Sequence, residues 1–315
     1  MGDHLVTAQV LLAAYNGEKH LPALLDSLKN QTDGNFSVLM QDDGSADNTP
    51  ALLQQIMEAD HRFSLGSESG RHLGPAGNFL SLIRQTDADL VFLCDQDDIW
   101  MPEKIAVLRQ AMSDALSRFG SDTPVLVHSD CCLITESGEA AGDSFFRHQG
   151  WDPDAVTLPR LLVQNNVTGC TLVMNRALCR LIADHGQARD LFMHDWFIAL
   201  TAAAFGHVVF VNQPLTAYRQ HEGNAIGASS SSLLKRGAMA LGQRKKAKRR
   251  ILLTYTHTLV FCRMYGDLLP APAQKLTSDY LATRSMRKLR RIITVRRLGC
   301  TMQSPITRMG QLIFG

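Results

Sequence analysis

The sequence has little that would tie it to an oxidising compartment, a zinc finger or a membrane span. Its seven cysteines, at positions 94, 131, 132, 170, 179, 262 and 300, are odd in number and form no Cys-x-x-Cys pair. Disulfide and zinc frameworks need tighter spacing, so free and mostly buried thiols are expected. Met1 to Gln9 shows no basic stretch leading into a long apolar run, so no secretory signal is expected. No window approaches the roughly 18 consecutive apolar residues that a spanning helix needs. There is no internal repeat, and the single low-complexity piece, Ser229 to Ser232, reads as a flexible connection. A cytoplasmic chain is expected, with any membrane contact peripheral and on the inner face of the cell membrane.

What is present fits a globular protein. Of 315 residues, 45% are hydrophobic and 20% charged, enough to bury a substantial core. The formal net charge of +2 hides an asymmetry. Residues 1–232 hold 14 Lys and Arg against 28 Asp and Glu, whereas residues 233–315 hold 18 against 2. The division expected is a main domain over 1–228 and a basic, mainly helical extension over 233–315.

The first 110 residues alternate between strand-like and helix-like patterns. Val6 to Ala14 is an apolar run ending in Tyr15-Asn16-Gly17, followed by Leu21, Leu24, Leu25 and Leu28 at helical spacing. Phe36 to Met40 stops at Gln41-Asp42-Asp43-Gly44-Ser45, and a helix then opens at Asn48 or Thr49 with Pro50 in its first turn. Leu90 to Cys94 stops at Asp95-Gln96-Asp97-Asp98. Such alternation predicts an α/β fold, a Rossmann-like, mostly parallel sheet flanked by helices. Beyond residue 125, strands are expected at Val125 to His128, Cys170 to Met174 and Val208 to Val211, and a helix from about His194 to Phe205.

In such sheets ligands bind beyond the carboxyl ends of the strands, where three polar clusters are expected side by side. Asp95, Asp97 and Asp98 repel one another, and a divalent cation would relieve them as a metal–diphosphate site. Asp98 alone is as well read as the N-cap of a helix over Ile99 to Val107. Asp42 and Asp43 form either a turn or an acceptor for the ring N–H of a pyrimidine base. Asn16 and Glu18 are candidates for base or ribose contacts, Tyr15 for stacking or packing, and Ala14 and Asn78 complete the nucleotide-binding set.

Three strings together, Ala14-Tyr15-Asn16-Gly17, Gln41-Asp42-Asp43-Gly44-Ser45 and Asp95-Gln96-Asp97-Asp98-Ile99-Trp100 with Pro102, resemble glycosyltransferase family 2 and its GT-A fold over about residues 5–225. The resemblance implies an inverting transferase using a nucleotide diphosphate sugar and Mn²⁺ or Mg²⁺. Asp43 would meet the base, Asp95 the ribose or the metal shell, and Asp97 the metal. His194-Asp195-Trp196 and Tyr218-Arg219-Gln220-His221, with Trp100, resemble the bacterial rhamnosyltransferase branch, which uses dTDP-L-rhamnose for O-antigen or other surface polysaccharide.

The same resemblance makes Asp195 the general base, and helix capping is its alternative. His221 is a third candidate metal ligand, or a plain surface histidine. Gly169 and Cys170, with Asp98, Trp100, His194 and Trp196, are candidates for the acceptor side. A buried strand start explains Gly169-Cys170 equally well. The acceptor implied is a glycan or a lipid-linked glycan.

The basic tail holds two clusters, Gln243 to Arg250 and Arg284 to Arg297, the second interleaved with Leu289, Ile292, Ile293 and Val295. Basic amphipathic helices favour anionic membranes by roughly 1 kcal/mol per cation near the headgroups. A solvated charged face is the plainer account. No nucleic-acid module is recognisable, so nucleic acid is not an expected partner. Two rival functions remain in view: a nucleotide-sugar-binding module without turnover, and a phosphatase of the haloacid dehalogenase type. The latter carries its Asp-x-Asp near the start of the fold, whereas here two βα units precede it.

Overall fold

The computed structural model describes residues 6–187, 191, 193–220 and 239–314. The chain opens with β1 (Ala8–Ala14), α1 (Leu21–Lys29), β2 (Ser37–Asp42), α2 (Thr49–Ala59), β3 (Phe63–Leu65), α3 (Gly74–Gln85) and β4 (Leu90–Asp95). It continues through β5 (Ile99–Trp100), α4 (Lys104–Phe119), β6 (Val125–Ile134), β7 (Ala140–Gly142), α5 (Phe145–Gln149), α6 (Leu158–Leu161), β8 (Leu172–Asn175), α7 (Arg176–His185), α8 (His194–Phe205) and β9 (His207–Arg219). The C-terminal helices are α9 (Met239–Tyr265), α10 (Ala271–Ala282), α11 (Lys288–Arg297) and α12 (Pro305–Phe314).

One sheet runs in the order β3-β2-β1-β4-β8-β6-β9-β5, with β7 beside β6. β1 pairs in parallel with β2 and β4, β2 with β3, and β6 with β9, while β8 enters antiparallel between β4 and β6. The mostly parallel α/β sheet expected from the alternation is therefore present. Its central strands are buried on both faces, which is why they read as continuous apolar runs. In β1, Leu11 points into one core with Phe79, Leu80 and Leu93, and its neighbours Val10 and Leu12 point into the other with Leu24, Leu28 and Phe92. In α1, Leu21, Leu24, Leu25 and Leu28 are all buried and a proline occupies the first turn.

Two local expectations are corrected. Ile99 to Val107 is not one helix: Ile99 and Trp100 pair antiparallel with Ala217 and Thr216, and α4 starts at Lys104. Pro102 disfavours helical geometry in the residue before it, and the edge of β9 supplies backbone partners for the two residues ahead. Asp98 accordingly caps no helix. Cys170 to Met174 is not a strand throughout either, because Gly169–Thr171 forms a 3₁₀ turn before β8 begins at Leu172.

The described part of the basic extension, residues 239–314, forms helices and is packed rather than loose. Tyr255, Phe261, Tyr265, Tyr280 and Val295 belong to the same buried cluster as Phe197, Leu200 and Leu11. The Thr201 hydroxyl lies 2.9 Å from the Tyr265 hydroxyl, Arg160 donates to the Thr301 carbonyl at 3.0 Å, and the Gln303 amide donates to Gln164 at 3.1 Å. The serine run falls outside the described residues. Among the described residues no helix is long and apolar enough to cross a membrane.

Candidate active site

Strand register brings the three polar clusters together. Ala14 lies opposite Asp42, and Ala13 opposite Asp95, so the ends of β1, β2 and β4 leave the sheet side by side. The loops are then tied to one another. The Tyr15 amide donates to Gln96 Oε1 at 2.6 Å, and Gln96 Nε2 donates back to the Tyr15 carbonyl at 2.7 Å. Gly17 is required beneath this clasp, since a Cβ there would sit 2.3 Å from Gln96 Oε1. Asn16, at φ +48°, donates its amide to Ser45 Oγ and accepts from the Ala46 amide, both at 2.8 Å. Glu18 accepts from the Asn48 amide at 2.8 Å. Ala14 contributes its carbonyl, which accepts the Asp43 amide at 2.8 Å.

Asp42 and Asp43 are buried, and their carboxylates are engaged by the chain itself. Asp42 accepts from the Gly44 and Ser45 amides at 3.0 Å and from the Ser45 hydroxyl, closing the turn. Asp43 accepts from the Leu73 amide at 2.5 Å and the Gly74 amide at 2.9 Å, anchoring the start of α3, with His72 Nδ1 3.1 Å away. Asn78, also buried, donates to the Gln41 carbonyl at 3.2 Å from under the sheet edge. Tyr15 differs from these residues: it is 46% exposed, with its ring 5.2 Å from that of His72. His72 is exposed too, so the two rings form an exposed aromatic pair beside the loops.

The third cluster is less satisfied. One carboxylate oxygen each from Asp95 and Asp98 and the Cys170 sulfur lie within 4.8 Å of one another. Burial pushes Asp95 well above the usual carboxylate range, and the negative charges of Asp98, Asp97 and Asp195 push it further. Asp98 is raised to about 7, by burial first and then by Asp97. It accepts the Arg219 amide at 3.1 Å through Oδ1, its Oδ2 is buried, and the Cys170 thiol lies beside the carboxyl. Carboxylates crowded in this way suit a hard divalent cation. The Cys170 thiol, pushed well up by burial, stays protonated and is a poor ligand for such an ion. The Asp97 carboxylate is outside the converging trio, and its carbonyl accepts from Arg219 Nε at 2.8 Å. His221 lies outside the described residues.

Near this cluster stands Asp195, in the first turn of α8 and 4% exposed. It accepts the Trp196 amide at 2.6 Å, so it serves the helix start while remaining at the site. Burial raises its pKa to about 7, against the easing effect of the Trp196 and Gly169 amides and the Asn165 side chain. A carboxylate with that pKa can take a proton near neutrality. Gly169 permits the close approach of His194, because a Cβ would meet its Nε2 at 3.0 Å. His194 is stacked on Phe79 at 4.3 Å, with burial pushing it down to about 4. Trp196 and Trp100 are not brought to the opening. Trp196 donates to the Leu161 carbonyl at 2.6 Å and packs on His257 of α9, and Trp100 is buried near Phe92.

Sequence reasoning missed Lys104. Its ammonium is fully buried, donates to the Cys170 carbonyl at 2.6 Å and Thr216 Oγ1 at 2.9 Å, and sits 3.4 Å over the Trp100 ring. Burial pulls its pKa down to about 8. It ties together β5, β9 and the turn at Gly169 beside the acidic cluster. One signal was available, a lysine on the first helical residue, where the helix dipole disfavours a cation. Arg219, which holds the Asp97 carbonyl and the Asp98 carboxylate, enters the sequence reading only as part of a string.

Comparison with known proteins places this geometry. Residues 9–117 match the model of glycosyl transferase family 2. The chain is 27% identical to the dTDP-rhamnosyl transferase RfbG of Shigella flexneri, over 76% of this chain and 82% of that one. Among solved structures, S. aureus TarS 1-349 in complex with UDP-GlcNAc aligns with a TM-score of 0.57 at 14% identity, covering 97% of this chain and 88% of that one. The mannosyltransferase PcManGT from Pyrobaculum calidifontis, in complex with GDP-Man and Mn²⁺, aligns with a TM-score of 0.53 at 16% identity, over 93% and 72%. At such identities the structural likeness speaks for the fold. The expectation of a family 2 nucleotide-sugar glycosyltransferase on a GT-A fold, similar to the bacterial rhamnosyltransferases, is borne out.

Proposed function

We propose that this family 2 glycosyltransferase moves L-rhamnose from dTDP-L-rhamnose, with inversion, to a hydroxyl of a glycan or lipid-linked glycan in cell-surface polysaccharide synthesis. The observation that carries the reading is the approach of Asp195, at the start of α8, to the carboxylates at the end of β4. Asp95 and Asp98 form a crowded acidic site, and Asp195, raised to about 7 and close enough to push Asp95 up further, lies near it. The RfbG likeness supports the donor, and the Mn²⁺ and nucleotide sugar of the mannosyltransferase structure support a cation on the diphosphate.

Asp95, with Asp97 and Asp98, would hold Mn²⁺ or Mg²⁺, which supplies positive charge for the departing diphosphate. Tyr15 and His72 flank the base, while Asp42, Asp43, Asn16 and Glu18 keep the loops beneath it in place. Asp195 takes the proton of the acceptor hydroxyl as that oxygen attacks the anomeric carbon from the side opposite the nucleotide. A single base suffices because the leaving diphosphate needs no proton. In this reading residues 1–228 form the transferase domain, and residues 233–315 hold it at the inner face of the membrane beside its acceptor.

Calorimetry of the full chain against dTDP-L-rhamnose, UDP-GlcNAc and GDP-mannose, each with Mn²⁺, tests the donor. Tightest binding of the dTDP sugar, with cation-dependent release of dTDP, is expected. Preference for another sugar nucleotide would overturn the rhamnose assignment but leave the transferase intact. Binding with no release under any acceptor would favour a module without turnover, and release of inorganic phosphate would favour a phosphatase.

A further inference from the structure

Helix α11 meets the rest of the protein with one face. Ile292 and Val295 share the lining of a small cavity with Ile251 and Tyr255 of α9 and Leu312 of α12, and Thr294 and Val295 are buried. The opposite face carries Leu289 at 72% and Ile293 at 59% exposure. Four residues apart, they stand one above the other on the helix surface. Lys288, Arg290, Arg296 and Arg297 are exposed around them. No Asp or Glu follows Asp279 in the sequence, so α11 itself holds no acidic side chain to balance these cations.

Two large apolar side chains held in water among four cations suit neither a solvated face nor a purely polar partner. A solvated face gains nothing from Leu289 and Ile293, and a nucleic acid would neutralise the cations yet leave both side chains in water. The boundary of an anionic bilayer serves both, with phosphates for the guanidinium groups and acyl chains for the apolar pair.

We propose that the outward face of α11 docks on an anionic lipid surface, with Leu289 and Ile293 entering the headgroup–acyl boundary and Lys288, Arg290, Arg296 and Arg297 meeting lipid phosphates. The proposal deepens the reading of an enzyme that works beside a lipid-linked acceptor and rests on it for its purpose. Leu289 and Ile293 are the discriminating residues, because only a lipid boundary makes use of them together with the charge.

The test is co-sedimentation of the full chain with vesicles of phosphatidylcholine alone and of phosphatidylcholine with phosphatidylglycerol in a two-to-one mixture. Binding to the anionic vesicles and little to the neutral ones is expected. Leu289→Ser with Ile293→Ser should weaken anionic-vesicle binding by at least tenfold, and Arg296→Gln with Arg297→Gln by roughly thirtyfold. All four positions are exposed, so unchanged circular dichroism and melting are expected to accompany the loss. Wild-type vesicle affinity in the Leu289→Ser, Ile293→Ser variant would overturn the proposal. So would tight binding of duplex DNA that the arginine changes abolish and the apolar changes leave alone, if vesicle binding is absent. Vesicle-free release of dTDP from dTDP-L-rhamnose, expected to be equal in all variants, keeps the two readings apart. Its absence in a wild type that binds vesicles removes the donor assignment and leaves the docking face in place.

Discussion

The ends of β2 and of β4 each lead into a pair of aspartates, Asp42 and Asp43 both buried, Asp95 half-buried beside the buried Asp98, and the two pairs are treated in opposite ways. At the end of β2, Asp42 and Asp43 accept from the amides of Gly44, Ser45, Leu73 and Gly74 and so fix the loops. At the end of β4, Asp98 takes a single backbone amide, and Asp95 is pushed up by burial and by three neighbouring carboxylates. Satisfied carboxylates build a scaffold, whereas unsatisfied ones store a demand for positive charge that a ligand can meet. Within one sheet edge the sequence repeats a motif type, and the surroundings assign it two different uses.

The largest expected effect lies beside the β4 pair, at Asp195. Asp195→Asn keeps the size of the side chain and cannot accept the acceptor proton. Transfer should fall by roughly 10²–10⁴, the usual worth of a positioned base, with donor affinity preserved and with inverted product in the residual activity. Near-wild-type transfer would reduce Asp195 to a helix-start residue, and a product of retained configuration would rule out the single displacement.

Next comes the cation. Asp97→Ala should remove the Mn²⁺ dependence of dTDP binding without unfolding the chain, measured by titration calorimetry with and without the metal. Dependence that persists would instead place the ion on Asp95 and Asp98, the carboxylates that converge in the structure.

The pH response separates the two sites again. Asp195 rises from 3.8 to about 7 on folding, so between those values the folded state holds a proton that the unfolded state lacks. Its contribution to stability is complete below about pH 4 and is lost as the pH climbs through about 7. In metal-free protein, Asp195→Asn should therefore melt higher relative to wild type as the pH rises across that window. The acid limb of the rate should rise near pH 7. A melting difference that stays constant from pH 4 to 8 would mean the carboxylate is solvated. Mn²⁺ should raise the melting temperature more at pH 8 than at pH 6.

Lys104→Met tests what lies beside the cluster. Losing the donor to the Cys170 carbonyl and Thr216 should cost about 1–3 kcal/mol in denaturant unfolding. Asp42→Ala, on the satisfied side, should cost about 1 kcal/mol, since it leaves its turn amides near the surface where water can reach them. A larger loss of donor binding in Asp42→Ala than in Asp97→Ala would invert the contrast between the two pairs.

Much of this was written along the chain. Runs such as Val10 to Leu12 and Val91 to Cys94 announced buried parallel strands, because only such strands are apolar on both faces. The polar stops behind them announced the ligand edge. Less legible were Ile99 and Trp100, where partners in β9, more than a hundred residues away, overrode a helix-like pattern. Asn16, Glu18 and Asp43 were read as ligand contacts, and their hydrogen bonds to neighbouring loops appear only when the loops lie together.

The sequence by itself determined the strand–helix order, the three polar strand ends, the motif resemblance and the reversal of charge near residue 232. Tertiary structure alone decided which carboxylates would be satisfied. It also placed Lys104 beside the cluster, moved Trp100 and Trp196 into packing, and turned Leu289 and Ile293 outward while Val295 turned in. The physical reason is that local pattern sets backbone preference and apolar periodicity, whereas desolvation and hydrogen-bond supply at a side chain depend on residues distant in sequence that packing brings beside it.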